Sequence, residues 1–167
     1  MATTYIVQAN RKRGVAYRKF PYSKKKGSAY HWKYVLRAKD KRRRELIARG
    51  AEYEAICKKI KYSNEKNSNA RLYDDVKPYK FNCLKLKKKS YTNCCNGASV
   101  ACRYAGIKTP RKSSARTLPS TWKKTGAFYI GKYKGHKHLK RGDTVDANEK
   151  PKVHTATYIG RKRGRKK

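Results

Sequence analysis

Asn93-Cys94-Cys95-Asn96-Gly97-Ala98-Ser99-Val100-Ala101-Cys102-Arg103-Tyr104-Ala105-Gly106-Ile107 is a run of small and apolar residues uninterrupted by lysine. In a chain of 167 residues with 47 Lys and Arg, it is the one stretch fit to lie in a core as a buried helix. The rest of the fold has to be arranged around it. Two cysteines stand at its start, where unpaired backbone N–H groups and the helix dipole favour an anion and make a thiol easier to ionise. Gly106 marks its end.

The same stretch resembles the nucleophile helix of NlpC-type cell-wall peptidases, papain-like cysteine hydrolases related to the CHAP amidases. In that resemblance the nucleophile falls on Cys94, with Cys95 in the next, small-residue slot and as the second choice. Leu139-Lys140-Arg141-Gly142-Asp143-Thr144-Val145 and His154-Thr155-Ala156-Thr157-Tyr158-Ile159-Gly160 resemble two of the family's barrel strands, the second of which carries the catalytic histidine. The likeness covers roughly residues 50–160. It implies an α+β, papain-like fold with helices packed on a small antiparallel sheet or partial barrel, and a catalytic pair of Cys94 and His154. Two departures stand out. Asn93 replaces the usual Asp before the nucleophile. The strand that brings the family's third polar residue, the one that orients the imidazole, is missing after His154, where only the basic Arg161 to Lys167 remain. The sequence offers Asp146, Asn148 or a backbone carbonyl in its place, without a choice among them.

Ten Asp and Glu against those cations leave a formal charge of +37, which repels itself unless a polyanion neutralises it. Nucleic acid, phosphate-bearing wall polymers and anionic membrane surfaces all meet that demand. A ribosomal or packaging protein, with an accidental family likeness, would have the same composition. No apolar run reaches bilayer-spanning length, and Met1 to Val7 is too short for a signal-peptide core, so we expect synthesis in a cytoplasm without a signal peptide. Five cysteines, two of them adjacent, read as reduced thiols rather than a disulfide framework. Cys83, Cys94, Cys95, His136 and His138 lack zinc-ligand spacing, and we expect no metal and no organic cofactor. His136 and His138 read as surface-loop residues.

Three regions follow from the chain order: a basic, aromatic-rich arm over 1–38, an NlpC-like α+β domain over 39–160 and a basic tail over 161–167. In the arm, Tyr5, Tyr17, Phe20, Tyr22, Tyr30, Trp32 and Tyr34 alternate with cations, a pattern suited either to stacking on nucleic-acid bases or to docking on the domain. Apolar spacing predicts a helix from Lys39 to about Lys61. Residues 62–92 read as loop, and Thr109 to Thr121 as an irregular, exposed connection. Strands are expected at Ala127–Tyr133, Thr144–Val145 and Val153–Ile159.

The function implied is a cysteine hydrolase cleaving amide bonds in the peptide part of bacterial peptidoglycan, a phage or bacterial lysin released by lysis or carried in a virion. Its basic ends would hold it on an anionic wall polymer or on nucleic acid. The alternative is a basic nucleic-acid-binding protein built on an inactive hydrolase-like core. Oligomeric state has no signature in the sequence.

Overall fold

The computed structural model describes residues 3–21, 31–149 and 153–164. Four helices pack on an antiparallel sheet of six strands in an α+β arrangement with no closed barrel. The chain begins with β1 (Tyr5–Asn10), β2 (Gly14–Lys19) and β3 (Tyr34–Ala38), followed by α1 (Lys41–Cys57). A small parallel pair, β4 (Ile60–Tyr62) and β5 (Ser90–Thr92), brackets the short α2 (Arg71–Val76). Then come α3 (Cys94–Tyr104), α4 (Leu118–Lys123), β6 (Phe128–Lys132), β7 (Thr144–Ala147) and β8 (His154–Gly160). In space the large sheet runs β2-β1-β8-β7-β3-β6. The first and last strands of the chain therefore lie side by side at its heart.

This corrects the reading of residues 1–38 as an arm. Their described part supplies three of the six sheet strands, and Ile6, Val7, Gln8 and Ala9 are buried. The aromatics are occupied by the fold: Tyr5 and Tyr17 meet edge to face, with the Lys162 ammonium 4.5 Å from each ring centroid, and Phe20 and Trp32 close a second core cluster with Ile6, Val145 and Tyr158. Rings that pack in this way are not presented to nucleic-acid bases. Tyr22, Tyr30 and Lys24 to Lys26 lie outside the described residues.

The predicted buried helix is α3, whose residues from Cys95 to Cys102 are all buried. It packs closely on α1, because a glycine stands at each of two contacts between the helices. A Cβ on Gly50 would lie 3.1 Å from the Ala101 carbonyl oxygen, and one on Gly97 would lie 3.1 Å from Glu54 Oε1. The crossing also sets direction: Gly50 meets the far end of α3 and Glu54 meets its start. α1 begins at its cap, where the Asp40 side chain accepts from the N–H groups of Arg42 and Arg43. It ends where Lys58 turns left-handed at φ 57°.

The Gly-Asp turn ahead of β7 has a structural role. Gly142 adopts φ 96°, and a Cβ there would fall 2.0 Å from the Arg44 carbonyl oxygen, so only glycine lets the turn touch α1. Asp143, fully buried, takes both prongs of the Arg37 guanidinium at 2.9 and 2.7 Å.

Two loop readings need correction. Residues 62–92 contain α2, β5 and buried Leu72, Val76 and Cys83. The Pro- and Ser-rich connection after Ile107 is partly core, since Thr109, Ala115, Leu118 and Trp122 are buried. Pro119 starts α4 instead of breaking it, because the first turn of a helix has no use for its missing N–H. No helix among the described residues is long and apolar enough to cross a membrane.

Candidate functional site

Asn93 makes the site local before it is tertiary. Its backbone is extended, its side-chain oxygen accepts from Asn96 N–H at 2.9 Å and its carbonyl from Gly97 N–H at 3.1 Å. The capping role expected of an Asp is thus met by a neutral amide, which leaves the Cys94 sulfur without a carboxylate beside it at the helix start. Asn96 ties this first turn to its surroundings, giving its amide to the Asn69 carbonyl at 3.0 Å and receiving Ser113 N–H at 2.9 Å.

The two adjacent thiols lie in opposite environments. Cys94, partly exposed, is approached by donors: the Cys95 thiol, the His154 imidazole and the Thr155 backbone N–H. Together with the positive charge available on His154 they hold the Cys94 thiol well below its ordinary pKa, against the opposing effect of burial. Cys95, buried, faces oxygen acceptors, with the Ser113 carbonyl at 2.7 Å and Asn93 Oδ1 at 3.5 Å. The neighbouring Cys94 thiol, the loss of solvent and the Cys94 charge together drive its pKa upward. One thiol is set to ionise and the other to stay protonated.

His154 opens β8 and is 5% exposed. Its Nε2 lies 2.8 Å from Gln8 Oε1, and its ring sits against Trp32 with centroids 5.9 Å apart. An amide oxygen can only accept, so Nε2 carries the proton and Nδ1 is left for the thiol. A polar partner for the ring thus comes from β1, at the other end of the chain, rather than from a strand after His154. β1 pairs antiparallel with β8, with Val7 opposite Thr157, and so stands where the absent strand was expected. The spacing argument could not have found Gln8. A glutamine flanked by Ile6, Val7 and Ala9 in a strand-like run was the available signal, since a polar side chain in such a run needs a buried partner.

Asp146 does not orient His154. It sits opposite Thr155 in the β7–β8 pair, takes the Thr155 hydroxyl on Oδ1 at 2.7 Å, and leaves Oδ2 without a hydrogen-bond partner among the described residues. Burial pushes its pKa up to about 7, and the Cys94 charge adds to this while the Thr155 hydroxyl opposes it. Asn148 Oδ1 likewise has no partner among the described residues. Glu54, 2% exposed, borders a void of about 10 Å³ that Cys94, Gln8 and Gly97 also line. Burial holds its carboxyl well above the usual range. Arg161, Lys162 and Arg163 follow the opposite end of the strand from the imidazole. His136 and His138 form a separate turn between β6 and β7, and no cluster of metal-ligating side chains occurs among the described residues.

A capped helix start, a thiol held low and an imidazole bonded to an amide are parts that nucleophilic cysteine chemistry calls for. Over residues 13–163 the chain matches the family model described as the endolysin-like domain. It belongs to that family. The match takes in all of this site except Gln8, which lies just ahead of it. No curated protein and no solved structure matches the chain. Membership gives this endolysin-like domain a lysin-type kinship, with a phage cell-wall function as the theme that the family description carries.

Proposed function

We propose that this endolysin-like domain is a cysteine hydrolase of NlpC type that cleaves amide bonds in the peptide part of peptidoglycan, encoded by a phage and freed by lysis. Cys94 is the nucleophile, His154 the acid and base, and Gln8 the residue that orients the imidazole. The observation that carries the reading is the asymmetry of the two thiols: Cys94 alone is surrounded by donors and set beside an imidazole whose other nitrogen is already engaged.

In the reaction the Cys94 thiolate attacks the carbonyl carbon and the electron pair moves to oxygen. The Asn93 cap occupies the amides of Asn96 and Gly97, which leaves those of Cys94 and Cys95 to receive the oxyanion. The C–N bond breaks as His154 hands its proton to the leaving amine, giving a thioester. Water then attacks that thioester, His154 takes the water's proton, and a carboxylic acid leaves as the thiol is restored. Thiolate, imidazole and backbone amides supply every step.

Purified sacculi digested with the parent protein, with Cys94→Ala and with His154→Ala, followed by mass analysis of the fragments, test the proposal. Peptide-bond products from the parent alone are expected, and a folded parent that releases nothing overturns it. The net charge of +37 favours a second reading, a nucleic-acid-binding protein on an inactive hydrolase-like core. In that case affinity for DNA or RNA falls steeply with salt and no turnover accompanies it.

A further inference from the structure

The charge of this chain is not spread evenly over the needs of its fold. Where α1 begins, a concavity of about 830 Å³ is lined by Lys41, Arg42, Arg44, Lys140, Arg141 and Arg163, with Glu45 as its single acid. Three of these cations are fixed by the fold. Arg141 binds Glu45 at 2.9 Å and Glu52 at 3.0 Å and also reaches the Ile159 carbonyl, Arg163 reaches Glu45 at 3.2 Å, and Arg44 donates to the Ala38 carbonyl at 3.0 Å. The other three are exposed, and the side chains of Lys41, Arg42 and Lys140 make no ion pair among the described residues. Fixed guanidinium groups thus form a floor, and unpaired cations stand around it.

The groove is remote from the thiol. The α1–α3 crossing places Glu54 by the start of α3, and Arg42 lies twelve residues back along α1, or about 18 Å at the helical rise. β8 gives the same measure: His154 is at one end, and Arg163 follows the other end, about 20 Å away at the rise of a strand. An anion held in the groove therefore occupies a place that the hydrolysed bond does not.

The lining also speaks to the class of anion. It contains no aromatic ring on which a base can stack, and Tyr5, Tyr17, Phe20 and Trp32 are packed within the fold. Cations without stacking platforms suit a polymer whose charge lies wholly in its backbone. We propose that this groove is a docking site for a phosphodiester-linked polyol polymer of the bacterial wall, which tethers the domain while the Cys94 cleft works on peptide. The choice of a wall polymer over duplex nucleic acid rests on the wall-hydrolase reading; the existence of a discrete anion groove does not.

The test uses the full chain carrying Cys94→Ala, so that binding is read without turnover. One variant adds Lys41→Glu, Arg42→Glu and Lys140→Glu. A control adds Lys87→Glu, Lys88→Glu and Lys89→Glu, three exposed lysines elsewhere, and changes the net charge equally. Binding to purified poly(glycerol phosphate) and to duplex DNA is measured as a function of salt. The groove variant should lose about tenfold or more in polymer affinity near physiological salt and show a shallower salt slope, by about two, while the control loses about threefold at most. Equal losses in both variants overturn the proposal, because the attraction is then diffuse. Tighter binding of the parent to DNA, with the groove variant losing chiefly that, overturns the choice of partner. Lys→Gln and Arg→Gln changes at the same positions repeat the comparison if either glutamate set lowers the melting temperature. Groove-specific binding alongside a parent that cleaves no sacculi separates failure of the hydrolase reading from failure of this one.

Discussion

Gln8, on the first strand, holds His154, on the last, through a contact of 2.8 Å between two side chains 146 residues apart. The partner is an amide rather than a carboxylate, so it fixes the tautomer of the ring without adding a charge to the site. That choice matters beside a thiol already coupled to a buried carboxyl, because a further negative charge there would oppose the thiolate.

Replacing Gln8 by Ala should leave the fold intact, since the neighbouring strand contacts are backbone ones, and should reduce kcat on released wall peptides by about 10²-fold, in the range of general acid–base effects. Gln8→Asn, which offers the same kind of acceptor on a shorter side chain, should lose less. Full activity in Gln8→Ala would show that the ring is positioned by Trp32 alone.

Cys95 should act on Cys94 through its S–H, the first contributor to the depressed thiol. In Cys95→Ala the thiolate loses that donor, so the midpoint of its iodoacetamide reactivity moves up in pH; in Cys95→Ser a hydroxyl keeps it low. The rapid phase should disappear altogether in Cys94→Ala. An unchanged midpoint in Cys95→Ala would assign the depression to His154 and the helix start.

Asp146 titrates at about 7 in the fold against 3.8 for an unhindered aspartate. A carboxyl raised on folding binds its proton more tightly in the native state, so its contribution is fully favourable below the unfolded value and is lost as pH rises through about 7. Asp146→Asn should therefore match the parent near pH 4 and be more stable at pH 8, by an amount on the order of 2–4 kcal/mol. Urea denaturation at the two pH values measures this, and a variant less stable at pH 8 would mean that ionised Asp146 has a partner cation.

Glu54 provides the same sign from a different place. Burial raises its carboxyl, and Oε2 has no partner among the described residues, so the parent should lose stability with rising pH relative to Glu54→Gln. Thermal melts from pH 5 to 9 should separate steadily. Parallel curves would indicate that water in the void beside Cys94 already solvates the carboxylate.

The parts of this protein visible in its residue order are those with a local cause. An uninterrupted run of small residues can only be a buried helix in so cationic a chain, and Asn93 caps it through its own neighbours. Gly142-Asp143 is a turn by its backbone, and the strands around His154 are β-branched. The α+β class was legible from the order of such segments, while Cys94 and His154 are singled out by their resemblance to the NlpC-type motifs. The helix at Leu118 was not legible, because Pro119 is a breaker inside a helix and a starter in its first turn, and only the burial of Leu118 and Trp122 against the core distinguishes the two. The first strands were obscured for a related reason. β1 and β2 are short and stand among basic clusters, and what fixes their hairpin in the sheet is the pairing of β1 with β8, far along the chain. Long-range pairing leaves no period in a local window, so the residue that steadies His154, the opposite surroundings of two adjacent thiols and the gathering of cations at the far end of α1 all depend on which segments meet when the sheet closes.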